Sequence, residues 1–233
     1  MAWVTGAAGA LGDAVVRRLA AAGWRGLASG HREPPSPPPE WIADAGDLTV
    51  EEVATNAAAR ALAAFGRLDL AVCAAGAWEG GKEADKADPD QLERMWRINV
   101  ESAWRCARAA ARAMGEGGEE VGGRAIVLVA AASALNRPAP AGAAAYRAAK
   151  AAVASLAESL AVELGRRGIA VVALAPGVLD TPDNRRAMPR ADRSAWVPLE
   201  RAAEVIAFLA TPAGAVLTGN VLTLDGRALA GGA

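Results

Sequence analysis

The sequence predicts an α/β fold: one domain built on a seven-stranded parallel sheet with helices on both faces. Three observations carry this. Short β-rich runs alternate with longer helical ones along the chain, the pattern that lays crossover helices over a parallel sheet. A glycine-rich turn, Thr5-Gly6-Ala7-Ala8-Gly9-Ala10-Leu11-Gly12, joins the first run directly to the first helix. The 233 residues suffice to bury a substantial core and stay within the size of a single α/β domain.

The elements follow in order. Ala2 to Thr5 reads as the first strand, and the helix after the glycine turn carries Val15, Val16 and Leu19. Gly26 to Ser29 is the second strand. The five prolines between Arg32 and Glu40 exclude the crossover helix that would normally come next. An extended connection takes its place; a partner-binding polyproline II segment is the other reading. Trp41 to Ala43 gives a short third strand and Leu68 to Cys73 a fourth. A long helix is expected over Asp88 to Met114, with Asp88 as cap, Pro89 in the first turn and Gln91 completing a capping-box-like pattern. Its apolar stripe runs Leu92, Trp96, Asn99, Ala103, Cys106, Ala110. Arg124 to Ala130, Ile169 to Leu174 and Asn220 to Leu224 supply the last strands, with a helix over Ala143 to Leu164 between the first two. No internal repeat or linker interrupts the pattern, so one domain spans 1–233, with a loosely held tail from Ala228.

Composition narrows the function. A net charge of −1 with 22% charged residues offers no basic patch for nucleic acid, which leaves a small molecule as the expected partner. Hydrophobic residues reach 53%, much of it alanine, and no run approaches the roughly 20 apolar residues that span a bilayer. The N-terminus enters a strand at once, leaving no room for a signal peptide. Cys73 and Cys106 stand in apolar surroundings that suit buried free thiols better than a disulfide or a metal site. No metal and a cytoplasmic location are therefore expected.

The glycine turn suits a dinucleotide. In a strand–turn–helix setting, Gly6, Gly9 and Gly12, with Ala8, Ala10 and Leu11 between them, allow close backbone approach to a pyrophosphate held by helix N–H groups. A turn that is merely rich in small residues is the alternative. The second strand ends in Ala28-Ser29-Gly30-His31-Arg32, with no carboxylate for the adenosine ribose. His31 and Arg32 favour a 2′-phosphate, hence NADPH over NADH, unless both are simply solvated. Asp47 and Leu48 are candidates for contact with the adenine; Asp47 as helix cap is equally open.

The chemistry centres on Tyr146, the only tyrosine, four residues before Lys150, one of three lysines against 22 arginines. On a helix this spacing puts both on one face. A phenol with an ordinary pKa near 10 needs about two to three units of lowering to act near neutrality, and a fixed ammonium would supply it. Ser133, thirteen residues before Tyr146, follows a strand at the carboxyl edge and could hold a substrate carbonyl oxygen. A turn-forming role is its alternative. Asn99 is a polar residue on a buried stripe: it either bridges structure or orients a relay water near Lys150.

Together these residues resemble the short-chain dehydrogenase/reductase family over essentially the whole chain. The resemblance implies a doubly wound Rossmann fold, with Asn99, Ser133, Tyr146 and Lys150 as a catalytic tetrad. It also implies that Ala74-Ala75-Gly76 takes the place of the family's Asn-Ala-Gly in the cofactor site. Pro176-Gly177-Val178 and Thr181 would then flank the nicotinamide, with Thr181 on its carboxamide. Within the family, the chain is most similar to the dihydropteridine reductase subfamily. That likeness rests on Gly9 to Gly12, Gly76 to Gly81, and the segment from Leu179 through Asn184-Arg185 and Trp196 to Glu200. The eukaryotic members of that subfamily lack the serine and asparagine present here, and they carry an aspartate after the second strand where this chain has none.

These readings converge on an NAD(P)H-dependent reductase of a carbonyl or imine, with quinonoid dihydropteridine as one candidate substrate. Segment 178–197 would be the substrate lid, with Asn184 as a substrate contact. Trp78 and Trp196 are either stacking platforms or packing. A dinucleotide-sensing protein of the same fold without catalysis is the competing reading. A homodimer or homotetramer through the two long helices is implied by the resemblance.

Overall fold

Strands β1 (Ala2–Thr5), β2 (Gly26–Gly30), β3 (Trp41–Ala45), β4 (Leu70–Cys73), β5 (Arg124–Val129), β6 (Ile169–Pro176) and β7 (Val221–Leu224) form one parallel sheet in the order β3-β2-β1-β4-β5-β6-β7. The computed structural model describes residues 1–115, 123–135 and 140–226; the tail from Ala228 lies outside them. The helices are α1 (Ala10–Ala21), α2 (Glu51–Phe65), α3 (Gln91–Trp96), α4 (Ser102–Met114), α5 (Ala132–Leu135), α6 (Ala144–Gly165), α7 (Pro182–Ala187), α8 (Leu199–Leu209) and α9 (Pro212–Ala215).

Alternation along each strand divides the core in two. Trp3, Leu27, Ala71, Ile126 and Val171 face α2, α4 and α6. Their neighbours Val4, Ala28, Val72, Val127 and Val172 face α1 and α8. Ile126, Val127 and Leu128 are wholly buried, each contributing about 1.5–3 kcal/mol. Alanines let the helices lie close to the sheet: Ala54, Ala57, Ala58 and Ala61 form the buried stripe of α2 at the spacing of one helix face.

Two expectations change. Residues 31–40 contain no helix, as the prolines require, but the long helix over Asp88 to Met114 is divided. Asp88 does not cap it: its carboxylate accepts the Asp90 amide at 2.9 Å, a local turn that competes with capping, and α3 begins only at Gln91. A π turn at Arg97–Glu101 then separates α3 from α4. The buried stripe is shifted accordingly. Leu92 and Trp96 are 55% and 45% exposed, while Met95 and Asn99 take the inward positions.

Candidate active site

The chain leaves β1 on one side to build β2 and β3, then returns to the other side for β4. That reversal opens a crevice beyond the carboxyl ends of β1 and β4, where ligands bind in such sheets. The glycine turn lines it. Gly6 has φ +65°, and a Cβ there would lie 2.8 Å from the Ala74–Ala75 peptide. A Cβ on Gly12 would come within 2.3 Å of the Gly6 carbonyl oxygen. Thr5 braces the two strand ends, its hydroxyl accepting from the Ala75 amide at 3.1 Å and donating to the Val72 carbonyl at 3.3 Å. Gly9 precedes the first turn of α1, and Ala8, Gly9 and Ala10 are exposed with Leu11 half-buried. The first amides of a helix have no partner within it, so this end can receive an anion.

At the far end of the crevice, His31 and Arg32 are exposed after β2. Ser29 is buried, its hydroxyl taking the Trp3 indole N–H at 2.8 Å, so it leaves that position to its two neighbours. Asp47 is not a helix cap: α2 is preceded by Val50, and the Asp47 carboxylate accepts from the Thr49 amide at 2.9 Å and hydroxyl at 2.6 Å. The hydroxyl bond, with smaller contributions from the charges of His31 and Arg97, holds this carboxyl below its ordinary value. Leu48 is buried in the core.

The tyrosine and lysine lie on α6. Lys150 is buried, and its ammonium donates to the Val129 carbonyl at 2.8 Å, 5.9 Å from the centre of the Tyr146 ring. Burial pulls this ammonium down to about 8 and pushes the Tyr146 phenol up to about 12. The direction at Tyr146 reverses the expected lowering, because desolvation of the phenolate outweighs an ammonium directed at a backbone carbonyl. The protein's own groups therefore keep the phenol protonated at neutral pH.

Asn99 sits in the π turn, 1% exposed. Its amide nitrogen donates to the carbonyls of Ala77 and Met95, each at 3.0 Å, and its oxygen accepts from the Ala77 amide at 3.3 Å. It thus fastens the segment after β4 to the helical layer. The same oxygen and the Lys150 ammonium converge at Gly76, where a Cβ would meet them at 2.7 and 3.3 Å. Ala74 and Ala75 are half-buried beside it. Ser133 is half-buried in α5, which packs against α6.

The remaining candidates divide. Trp78 is 61% exposed on a segment clasped to the approach to α6 by the Gly81 amide, which donates to the Gly142 carbonyl at 2.8 Å. Glu79 anchors that segment through Arg94 at 2.7 Å. Beyond Pro176 and Gly177, Val178 is 40% exposed, while Thr181 is nearly buried and caps α7 by accepting from the Asn184 amide at 3.0 Å. The Asn184 side chain donates to the Leu179 carbonyl at 2.8 Å, so it braces the segment after β6. Trp196 is 6% exposed, with the Arg193 guanidinium 5.7 Å from its ring centre, so it is buried as packing.

Two contributors escape a reading of the sequence. Thr5 could have been found from its place at the end of the first strand. Arg147, whose Nε donates to the Ser133 carbonyl at 2.5 Å, has no such signal, since a backbone acceptor leaves no mark in side-chain patterns.

Residues 1–191 match the model of the short chain dehydrogenase family. Dihydropteridine reductase of Dictyostelium discoideum is 32% identical over 204 residues, covering 86% of this chain and 83% of its own. Cis-4-hydroxycyclohexanecarboxylate dehydrogenase of Sinomonas cyclohexanicum is 34% identical over 242 residues, covering 97% and 95%. Among solved structures, a short chain dehydrogenase from Burkholderia cenocepacia J2315 in complex with NADP superposes with a TM-score of 0.82 at 28% identity, covering 98% of this chain and 97% of that one. The sheet order, the glycine crevice and these relatives agree: the chain belongs to the short chain dehydrogenase family and is an NAD(P)-dependent oxidoreductase.

Proposed function

We propose that this protein reduces a carbonyl or imine carbon of a small molecule, with NADPH as the preferred reductant and Tyr146 as the proton donor. The observation that carries this is a half-buried phenol beside a buried lysine, the ammonium 5.9 Å from the centre of the Tyr146 ring. The crevice fits a dinucleotide. Gly6 and Gly12 let the turn pack against its own backbone and that of the Ala74–Ala75 peptide, and the start of α1 can receive a pyrophosphate. His31 and Arg32, with no carboxylate beside them on β2, support a 2′-phosphate.

Bound there, the reduced nicotinamide supplies the hydride that adds to the electrophilic carbon. Ser133 hydrogen-bonds the oxygen or nitrogen that gains electron density. Tyr146 gives its proton to that atom, and the Lys150 ammonium stabilises the phenolate left behind. Asn99 keeps the segment around Gly76 and Ala77 in register beside Lys150. Thr181, with Pro176 to Val178, would border the nicotinamide.

The substrate class is a flat or cyclic carbonyl compound or imine, for which the exposed Trp78 provides a stacking surface. Similarity to a dihydropteridine reductase supports a quinonoid dihydropterin, and similarity to a hydroxycyclohexanecarboxylate dehydrogenase supports a cyclic ketone acid. The alanine-rich α4 and α6 support a homodimer or homotetramer, and the unpaired thiols Cys73 and Cys106 support a cytoplasmic location. Among the described residues no helix is long and apolar enough to cross a membrane.

The test is the loss of NADPH or NADH absorbance with a panel of quinonoid dihydropterin, cyclic ketones and quinones. Turnover of at least one is expected. Cofactor binding with no turnover on the whole panel would favour a sensor of dinucleotides instead.

A further inference from the structure

We infer that Arg147 is a positioning residue, the clamp that sets the Ser133 turn against the helix carrying Tyr146 and Lys150. This rests on the role proposed for Ser133. Ser133 lies in α5, described over Ala132–Leu135. The Ser133 carbonyl receives its bond from outside, from Arg147 Nε at 2.5 Å.

The origin of that donor matters. Arg147 follows Tyr146 directly and shares α6 with Lys150, so one rigid helix holds the proton donor, the ammonium and the clamp on the serine. A guanidinium is planar and permanently charged, and its bond to a carbonyl fixes direction as well as distance. Ala132 is buried and seats one side of the turn, while the Ala134 amide bonds the Ala131 carbonyl within it. The Arg147 bond ties the turn to α6, against which α5 also packs, and so bears on the distance between the Ser133 hydroxyl and the phenol. A displacement of about 1 Å at a reacting centre can cost about 10²-fold in rate.

Arg147→Met and Arg147→Lys test this, with Ser133→Ala and the double variant completing a cycle. The first readout is hydrogen exchange of the amides at 131–135. Arg147→Met should raise exchange there, leave the strand amides of β5 unchanged and partly recover in Arg147→Lys. Unchanged exchange at 131–135 overturns the clamp whether or not a substrate has been found. The second readout is steady-state kinetics with NADPH and quinonoid dihydropterin, or with the panel compound reduced fastest. Arg147→Met should lower kcat about 10- to 100-fold with KM for NADPH within about threefold. In the Ser133→Ala background the same change should add little, because both act through one hydroxyl.

Full additivity, or an unaltered kcat alongside raised exchange, overturns the positioning role. A fully active Ser133→Ala enzyme instead overturns the proposed function of Ser133 while the exchange result stands. A wild-type protein with no turnover on the panel removes the catalytic reading, and exchange then decides the clamp alone.

Discussion

At the level of single residues, the site is organised around two groups whose proton affinities burial drives apart. The Tyr146 phenol is raised to about 12 and the Lys150 ammonium lowered to about 8. At pH 7 the first is protonated and the second mostly charged, the state needed for donating a proton. For the reductive direction, kcat is expected to fall as pH rises through about 8, where Lys150 loses its charge; a flat profile from pH 7 to 10 would remove the lysine from the mechanism. Folding is linked to the same groups. With Lys150 depressed from 10.5 to about 8, the unfolded chain binds more protons between those values, so stability rises with pH across that window. Tyr146 acts oppositely between 10 and about 12, where the folded state retains its proton and stability falls. Lys150→Met should therefore abolish turnover yet stabilise the fold at pH 7, by about 2 kcal/mol after allowing for the lost bond to Val129. Urea unfolding at pH 7 and pH 10 checks it. A destabilised variant would show that the ammonium's hydrogen bond outweighs its desolvation.

At the level of elements, what was legible depended on whether the signal is local. Every strand of the sheet was readable from alternating β-rich runs, and the absent helix after β2 from its prolines. The glycine turn was readable because only residues without a side chain fit where Gly6 meets the Ala74–Ala75 peptide. The π turn at Arg97–Glu101 was not, since no residue type demands it; it follows from how the helix must rotate to bring Asn99 inward. The Asp88 turn was misread because a carboxylate two residues before an amide and one at a helix cap look alike in sequence. Bracing of the segment after β6 by Asn184 was equally hidden, its acceptor being a backbone carbonyl. Gly6→Ala tests the turn itself. It forces a side chain into the left-handed region at about 1–2 kcal/mol before any clash, so Tm should drop by about 4 °C or more and NADPH affinity by at least about tenfold. Wild-type affinity in that variant would place the dinucleotide elsewhere. Gly76→Ala should weaken NADPH binding and lower kcat together, because the methyl group would wedge between Asn99 and Lys150 in the cofactor site.

At the scale of the whole molecule, one sheet edge gathers residues that are far apart in sequence. The glycine turn, Ser133 and the segment after β6 all follow the carboxyl ends of strands of one parallel sheet. Fold and cofactor class were legible because both depend on this topology; the substrate was not, because it depends on loop side chains whose exposure the sequence does not fix, such as Trp78 and Trp196. One of those tryptophans proved exposed and the other buried, and their sequence contexts did not distinguish them. Cofactor choice tests the far end of the crevice: Arg32→Asp should shift preference from NADPH towards NADH, read as the ratio of kcat/KM values, and an unchanged ratio would exclude Arg32 from phosphate recognition. The central claim is proton donation by Tyr146, and the most direct measurement compares NADPH consumption and NADPH binding in the wild type and in Tyr146→Phe at pH 7. The expected result is a Kd within about threefold and a kcat reduced by about 10³-fold; turnover retained in Tyr146→Phe would contradict it.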